Sequence, residues 1–593
     1  MDTLPAELIL HISLFLDARD IIPLQLVSKH FLTITRDNGL WKELCFNDSH
    51  SEAARTRRHF LSATSLPVQE PRVFELQRAV ARSTNSNGDI KSTLQKAYLN
   101  SKSIAGRAIA SWDPTYPGEK VDWYREYIAR DAPLSVSWLQ QPHHTVNGSR
   151  EKLETRGLGL SKNRGDDHVV APLDDGSVCI WQLGQDDAIP QSSDGRIIAR
   201  SRPNLLSANG PDGGPVPARS RARMISTGVV ECVSVDQARN KAYFAAQSGL
   251  NEIDLSTLQI SSYDRYPFSI SALSESTYPV PLTVGTTLSL HIHDPRQSNN
   301  ARLSSYSFAT DRVEIDPHLP SSSDFYRIAS GDSSQTDYAT LFHPSPLSIL
   351  HHNPSSMIYV AGRYPSILTY DRRSFPKLTS AIHSGARLCS LASLPTPEYP
   401  TVAAAGEYNG KGSLELYPLP TSTSIAPSEN GREPTHNRTS ASRSKLLSLT
   451  THGARLLFSD SDGQLKSVER DGSTLVRRWN INTYSTVPDN LAATQGIFNN
   501  DLNEGDVARK LVPVSEKENS EVLLWTGEKI GVLGFRKNPR FMFDQEGEDN
   551  VVGTDAEKGA AMEEKEYGRM MKRALEKQAN EVRFVRGLGL RHG

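Results

Sequence analysis

A chain of 593 residues is too long for one hydrophobic core and predicts several domains. Its 66 basic against 68 acidic residues leave it nearly neutral, which argues against a general nucleic-acid binder, and a hydrophobic content of 37% leaves room for long polar loops. With no apolar run of bilayer length, no signal-like leader, and Cys45, Cys179, Cys232 and Cys389 far apart without a CxxC pair, the expectation is an intracellular protein, cytoplasmic and/or nuclear, with no membrane partner.

The first predicted element is a helix opening at Pro5, whose missing N–H costs nothing in a first turn, with Glu7 on the favourable side of the helix dipole. Leu8, Ile12, Phe15 and Leu16 recur at i, i+4, i+7 and i+8, an apolar stripe of helical period. Asp20 suits the N-cap of a second helix, with Pro23 in its first turn and Leu24, Val27, Phe31 and Ile34 continuing at helical spacing. Asn38-Gly39 reads as a break before a third helical patch at Leu40, Trp41 and Leu44. Three helices this short cannot bury all these side chains among themselves. The surplus face expects either the rest of the same chain or a foreign groove.

Leu4-Pro5-Ala6-Glu7-Leu8, Val27-Ser28-Lys29-His30-Phe31 and Leu40-Trp41-Lys42-Glu43-Leu44 stand in the order found in an F-box, and residues 1–48 resemble that module. The resemblance covers under a tenth of the chain. It implies a three-helix domain that docks on the Skp adaptor of cullin-type ubiquitin ligases and, through it, on the cullin. Leu4, Pro5, Leu8, Ile9, Ile12, Phe15, Leu16, Val27, Phe31 and Trp41 would form or support the docking face.

Residues 49–133 keep helical composition, notably 73–80 and 121–128, and predict a helical linker in which Trp112, Trp123 and Tyr127 anchor on neighbours. From 134 to 544 the pattern changes to short runs of Val, Ile, Leu, Ser and Thr bounded by Gly, Asp, Asn or Pro. Three-strand units recur at 168–181, 230–254, 287–294, 348–371, 388–417, 446–468 and 522–535, which suggests a β-propeller of seven blades, plus or minus one. Gly176 to Trp181 and Ser366 to Asp371 resemble the third strand of WD-repeat blades; a large β-sandwich is the competing fold. Stretches near 185–223, 297–337 and 418–444 read as disordered inserts, and 545–593 as a tail, acidic and then helical, either solvated or binding a second partner. The fold class is thus multidomain, α plus all-β.

No enzyme signature is visible, and neither a cofactor nor a metal is expected. Gly406 to Gly412 has one residue too few between its glycines for a phosphate-binding loop and reads as a hairpin turn. His291 with His293, and His351-His352, lack an evident third ligand. The leading expectation is therefore a non-catalytic substrate-recognition subunit of an SCF-type ubiquitin ligase, recruiting a protein for degradation. A non-degradative scaffold and, more weakly, a propeller enzyme are the alternatives. Arg363, between a second and a third strand, and Arg387, before a first strand, would share one rim in WD-type geometry. Some family members use arginines there to read phosphorylated motifs; pairing with nearby carboxylates is the plainer alternative.

Overall fold

The computed structural model describes residues 5–48, 114–115, 119–132, 134–146, 149–163, 166–183, 195–206, 228–296, 338–341, 345–352, 356–394, 401–419, 437–481, 506–514 and 521–534. Leu4, Trp112, the helix expected at 73–80, most of the linker and the tail 545–593 lie outside them.

The N-terminal segment forms four helices where three are predicted: α1 (Ala6–Ser13), α2 (Ala18–Leu24), α3 (Lys29–Thr35) and α4 (Asn38–Asp48). The expected second helix is split because Ser28 turns extended and its Oγ accepts the Phe31 N–H at 3.2 Å, starting α3 afresh. Asp17, not Asp20, occupies the N-cap position of α2. Asn38-Gly39 opens α4 instead of breaking the chain, because Asp37 Oδ1 accepts the Leu40 N–H at 3.0 Å. A fifth helix, α5 (Trp123–Asp131), packs on α4. Asn38 ties the two, donating to Val121 O at 2.9 Å and accepting from the Trp123 N–H at 2.7 Å. Ile21, Leu40, Trp41, Leu44 and Trp123 form their common core, and the Trp41 ring meets Tyr124 and Tyr127 edge-on at 4.7 and 5.0 Å.

The strands build seven four-stranded antiparallel sheets. β1 (Ser135–Trp138) and a hairpin of β2 (His143–Val146) and β3 (Ser149–Lys152) come first. Blade 1 holds β4 (Gly159–Asn163), β5 (Asp166–Pro172), β6 (Val178–Leu183) and β7 (Ile197–Arg200). Blade 2 holds β8 (Val229–Asp236), β9 (Lys241–Ala246), β10 (Gly249–Asp254) and β11 (Gln259–Arg265). Blade 3 holds β12 (Ile270–Leu273), β13 (Leu282–Thr286), β14 (Ser289–His293) and β15 (Tyr338–Thr340). Blade 4 holds β16 (Pro346–His351), β17 (Met357–Gly362), β18 (Ser366–Asp371) and β19 (Leu378–His383). Blade 5 holds β20 (Arg387–Leu394), β21 (Thr401–Tyr408), β22 (Lys411–Pro418) and β23 (Asn437–Ser442). Blade 6 holds β24 (Leu446–His452), β25 (Arg455–Asp460), β26 (Gln464–Glu469) and β27 (Leu475–Asn480). Blade 7 joins β28 (Lys510–Pro513), β29 (Val522–Trp525) and β30 (Ile530–Gly534) to β1.

The first strands of successive blades touch one another, so they form the inner ring of a β-propeller. Lys510 Nζ donates to Leu158 O at 2.9 Å, joining blade 7 to the entry of blade 1. β1 pairs antiparallel with β30, Ser135 opposite Gly534, so both ends of the β region close one blade. Second strands are buried on both faces: β9, β13, β25 and β29 read as nearly unbroken buried runs. Between blades 1 and 2, Val170, Ile180, Val233, Phe244 and Ile253 form one cluster. Each such side chain contributes about 1.5–3 kcal/mol by leaving water.

Each of the seven sequence units falls in a different blade. The blades nevertheless have four strands, not three. Fourth strands escape the sequence pattern because they lie at the rim: β11 alternates exposed and half-buried residues, and β19 is exposed at all but one position. β7 and β23 also correct the insert boundaries, since both lie inside stretches expected to be disordered.

Candidate functional site

Large apolar side chains of the N-terminal helices are uncovered among the described residues. Leu8 and Ile12 of α1 are about half exposed, Phe15 is 78% exposed, and Leu26 and Val27 in the turn after α2 are 87% and 65% exposed. Pro5 is exposed at the entry of α1 and Leu16 is half-buried. Ile9, Phe31 and Trp41 are instead buried, Ile9 and Phe31 packing with Ile34 and Trp41 lying in the core shared with α5. Of the ten residues expected at the docking face, these three support it from beneath. Leu14, Ile22 and Leu26 are exposed as well and were missed. The signal was available for Leu26, which neighbours Val27 in the same turn.

A second feature, not legible in the sequence, clamps α5 to the propeller. Glu126 Oε2 accepts from Arg455 Nε at 3.0 Å and Arg130 Nε at 3.4 Å, while Oε1 accepts the Ala454 N–H at 2.9 Å. The Arg130 guanidinium forks onto Glu469 at 2.7 and 3.0 Å. Arg455 Nη1 also donates to Ala129 O at 3.2 Å, and Arg470 binds both Glu119 and Gly453 O. Glu126, Arg130, Arg455 and Glu469 are all buried. Burial alone would raise the Glu126 carboxyl; Arg455, Arg130 and the Ala454 N–H outweigh it and hold the group down at about 2. Gly453 has φ +58°, and a Cβ there would lie 1.9 Å from Glu126 Oε1, so the close approach of the β24–β25 turn to the carboxylate requires glycine. Glu126 and Arg130 stand at i, i+4, a spacing that in sequence reads as an ordinary surface pair.

Strand direction decides which end of the propeller this is. The clamp uses the first-to-second connection (Gly453, Ala454) and the residue after the third strand (Arg470) of blade 6. Connections between second and third strands, and from one blade to the next, lie at the opposite end. Arg363 stands in the β17–β18 turn and Arg387 begins β20, both exposed, and Pro365 O accepts the N–H groups of Ser384 at 2.9 Å and Gly385 at 3.0 Å, joining their loops. The two arginines therefore share the end facing away from α5. Neither forms an ion pair among the described residues. The β2–β3 hairpin rises at this end too: beyond it Thr155 donates to Glu528 O, and Glu154 O accepts the Asp174 N–H, each at 2.9 Å.

The other sequence candidates resolve into structural roles. Tyr408 to Lys411 is a tight hairpin with Asn409 and Gly410 at φ 50° and 75°. His291 and His293 are buried and bonded to Ser289 and Tyr266 at 2.8 and 3.0 Å, and His351 to Thr283 at 2.7 Å. Among the described residues no group of three or more His, Cys, Asp or Glu is arranged to hold a metal, and no helix is long and apolar enough to cross a membrane.

Residues 1–47 match the family model described as F-box-like. No curated protein matches the chain. An F-box-like match at residues 1–47 and a seven-bladed β-propeller among the described residues together match the make-up of an F-box plus propeller protein.

Proposed function

We propose that the protein is the substrate-recognition subunit of an SCF-type ubiquitin ligase. The observation that carries this is the uncovered apolar side chains of Leu8, Ile12, Phe15, Leu26 and Val27 on a domain that matches the F-box-like family. Such exposure is disfavoured in water and suits helix-in-groove docking on the Skp adaptor, which in turn binds the cullin. The chain itself performs no bond chemistry. It raises the effective concentration of a protein target near the ubiquitin-loaded enzyme, leading to ubiquitination and proteasomal degradation in the cytoplasm and/or nucleus. The buried clamp supports this role, because a rigid arm holds cargo and adaptor at a constant separation. The target would bind the far end, where Arg363 and Arg387 lie.

The test is co-purification with the Skp adaptor, comparing wild type with Leu8→Asp combined with Ile12→Asp. Capture by wild type and loss by the double variant is expected; equal recovery of both rejects the assignment. Half-life of co-purifying proteins after depletion of this chain separates degradation from scaffolding.

A further inference from the structure

The far end of the propeller is electrostatically uneven. On blades 7 and 1 several of its cations are paired, Arg156 with Glu154, Arg200 with Asp175, Arg509 with Glu231 and Lys529 with Asp506, whereas Arg202 is exposed with no ion pair among the described residues. On blades 4 to 6 Lys466 and Arg438 are paired with Asp460 and Glu415, but five exposed cations are not. Arg363 in the β17–β18 turn, Arg387 at the start of β20, Lys411 at the start of β22, and Arg443 and Lys445 between β23 and β24 are all exposed. None of the five forms an ion pair among the described residues. The carboxylates in these loops do not neutralise them. Asp460 is buried and bound by Lys466 and Ser442, which leaves Glu407 and Asp462 against five cations. Tyr408 adds an exposed aromatic edge, its ring covered on one side by Arg438 at 4.2 Å.

The geometry points to this arc as the binding site for an acidic segment of a protein partner, a run of Asp and Glu side chains lying across blades 4 to 6. The inference rests on reading this end as the cargo side. The five cations come from four successive loops, and although Pro365 O joins the loops of Arg363 and Arg387, no described contact gathers all five at one point. That distribution suits a row of single charges better than one phosphate held by a converging pair of guanidiniums. Blades packed face to face lie about 10 Å apart, so the arc spans about 20 Å, the length of about six extended residues. Unpaired exposed cations in a row repel one another, and a polyanion laid along them removes that repulsion while steering its own approach.

The experiment is fluorescence anisotropy of the full chain with a labelled peptide of about ten glutamates, against a serine peptide of equal length and the same peptide with one phosphoserine. Wild type is expected to bind the glutamate peptide, more weakly as salt rises from about 0.05 to 0.2 M. It should ignore the serine peptide, and the single phosphoserine should add little. Arg363→Glu with Arg387→Glu, Lys411→Glu and Lys445→Glu should weaken the glutamate complex by about tenfold or more. A second set with glutamine at the same four positions guards against misfolding and should give a smaller loss in the same direction. Equal affinity of wild type and both sets overturns the site. Binding of the phosphoserine peptide without the glutamate peptide overturns the acidic-run assignment in favour of a phosphate pocket. Adaptor capture on the same preparations keeps the two proposals apart: its failure in wild type, with glutamate binding intact, retires the ligase role and leaves this site standing.

Discussion

Removing the Glu126 carboxylate tests whether α5 is clamped to the propeller by buried charge. In Glu126→Ala the Arg455 side chain, only 3% exposed, loses its carboxylate and keeps only Ala129 O and His452 Nδ1 as partners. Arg130 retains its fork onto Glu469, so one buried cation is stranded and not two. Stranding one partner of a buried pair costs about 3–5 kcal/mol. The loss falls on the contact between α5 and blade 6, because every bond involved crosses it or lies beside it. Hydrogen exchange of the α5 amides should therefore accelerate by a factor of roughly 10² to 5 × 10³, while the central strands of blades 1 to 4 stay protected. Arg125→Ala, which breaks only the exposed pair with Asp122, should change stability by less than about 1 kcal/mol. Unchanged α5 protection in Glu126→Ala, or a loss spread evenly over all blades, refutes the clamp.

Three further outcomes follow from the same geometry. Because the Glu126 carboxyl sits at about 2 in the fold against an ordinary 4.5, its stabilisation is complete above about pH 4.5 and is lost as pH falls towards 2. The step amounts to roughly 3 kcal/mol in the α5 contact, measurable as exchange against pH, and should vanish in Glu126→Gln. Gly453→Ala forces a left-handed backbone costing about 1–2 kcal/mol and pushes a methyl into the carboxylate, so it should reproduce the exchange pattern of Glu126→Ala; a silent Gly453→Ala contradicts the close approach. Phe15 and Trp41 should separate docking from folding. Phe15→Ala should alter stability by less than about 0.5 kcal/mol yet reduce adaptor capture. Trp41→Ala should cost about 3–5 kcal/mol through its lost packing on Tyr124 and Tyr127, read from urea denaturation.

Much of this architecture was visible in one dimension. Leu8, Ile12 and Phe15 repeat at helical spacing, and the second strands of the blades are apolar enough to stand out as units. The outer strands were not visible, since β11 and β19 face solvent and their residues carry no apolar run. Nor was the division of the expected docking residues. Ile9 and Phe31 have the same chemistry as Leu8 and Val27, and only the packing of α3 against α1 buries the first pair and leaves the second in water.

What sequence alone determined is local: which stretches are helical or extended, how many β units recur, and that the N-terminal module carries more grease than it can hide. Helical and alternating periods are written residue by residue, so they survive without coordinates. Tertiary structure decided the long-range pairings. It brought Glu126 to Arg455 and Arg130 to Glu469 across more than 300 positions, and set Arg363 and Lys445 on the end away from α5. Those relations come from ring closure and alternating strand direction, properties of the assembled propeller that no window of neighbouring residues contains.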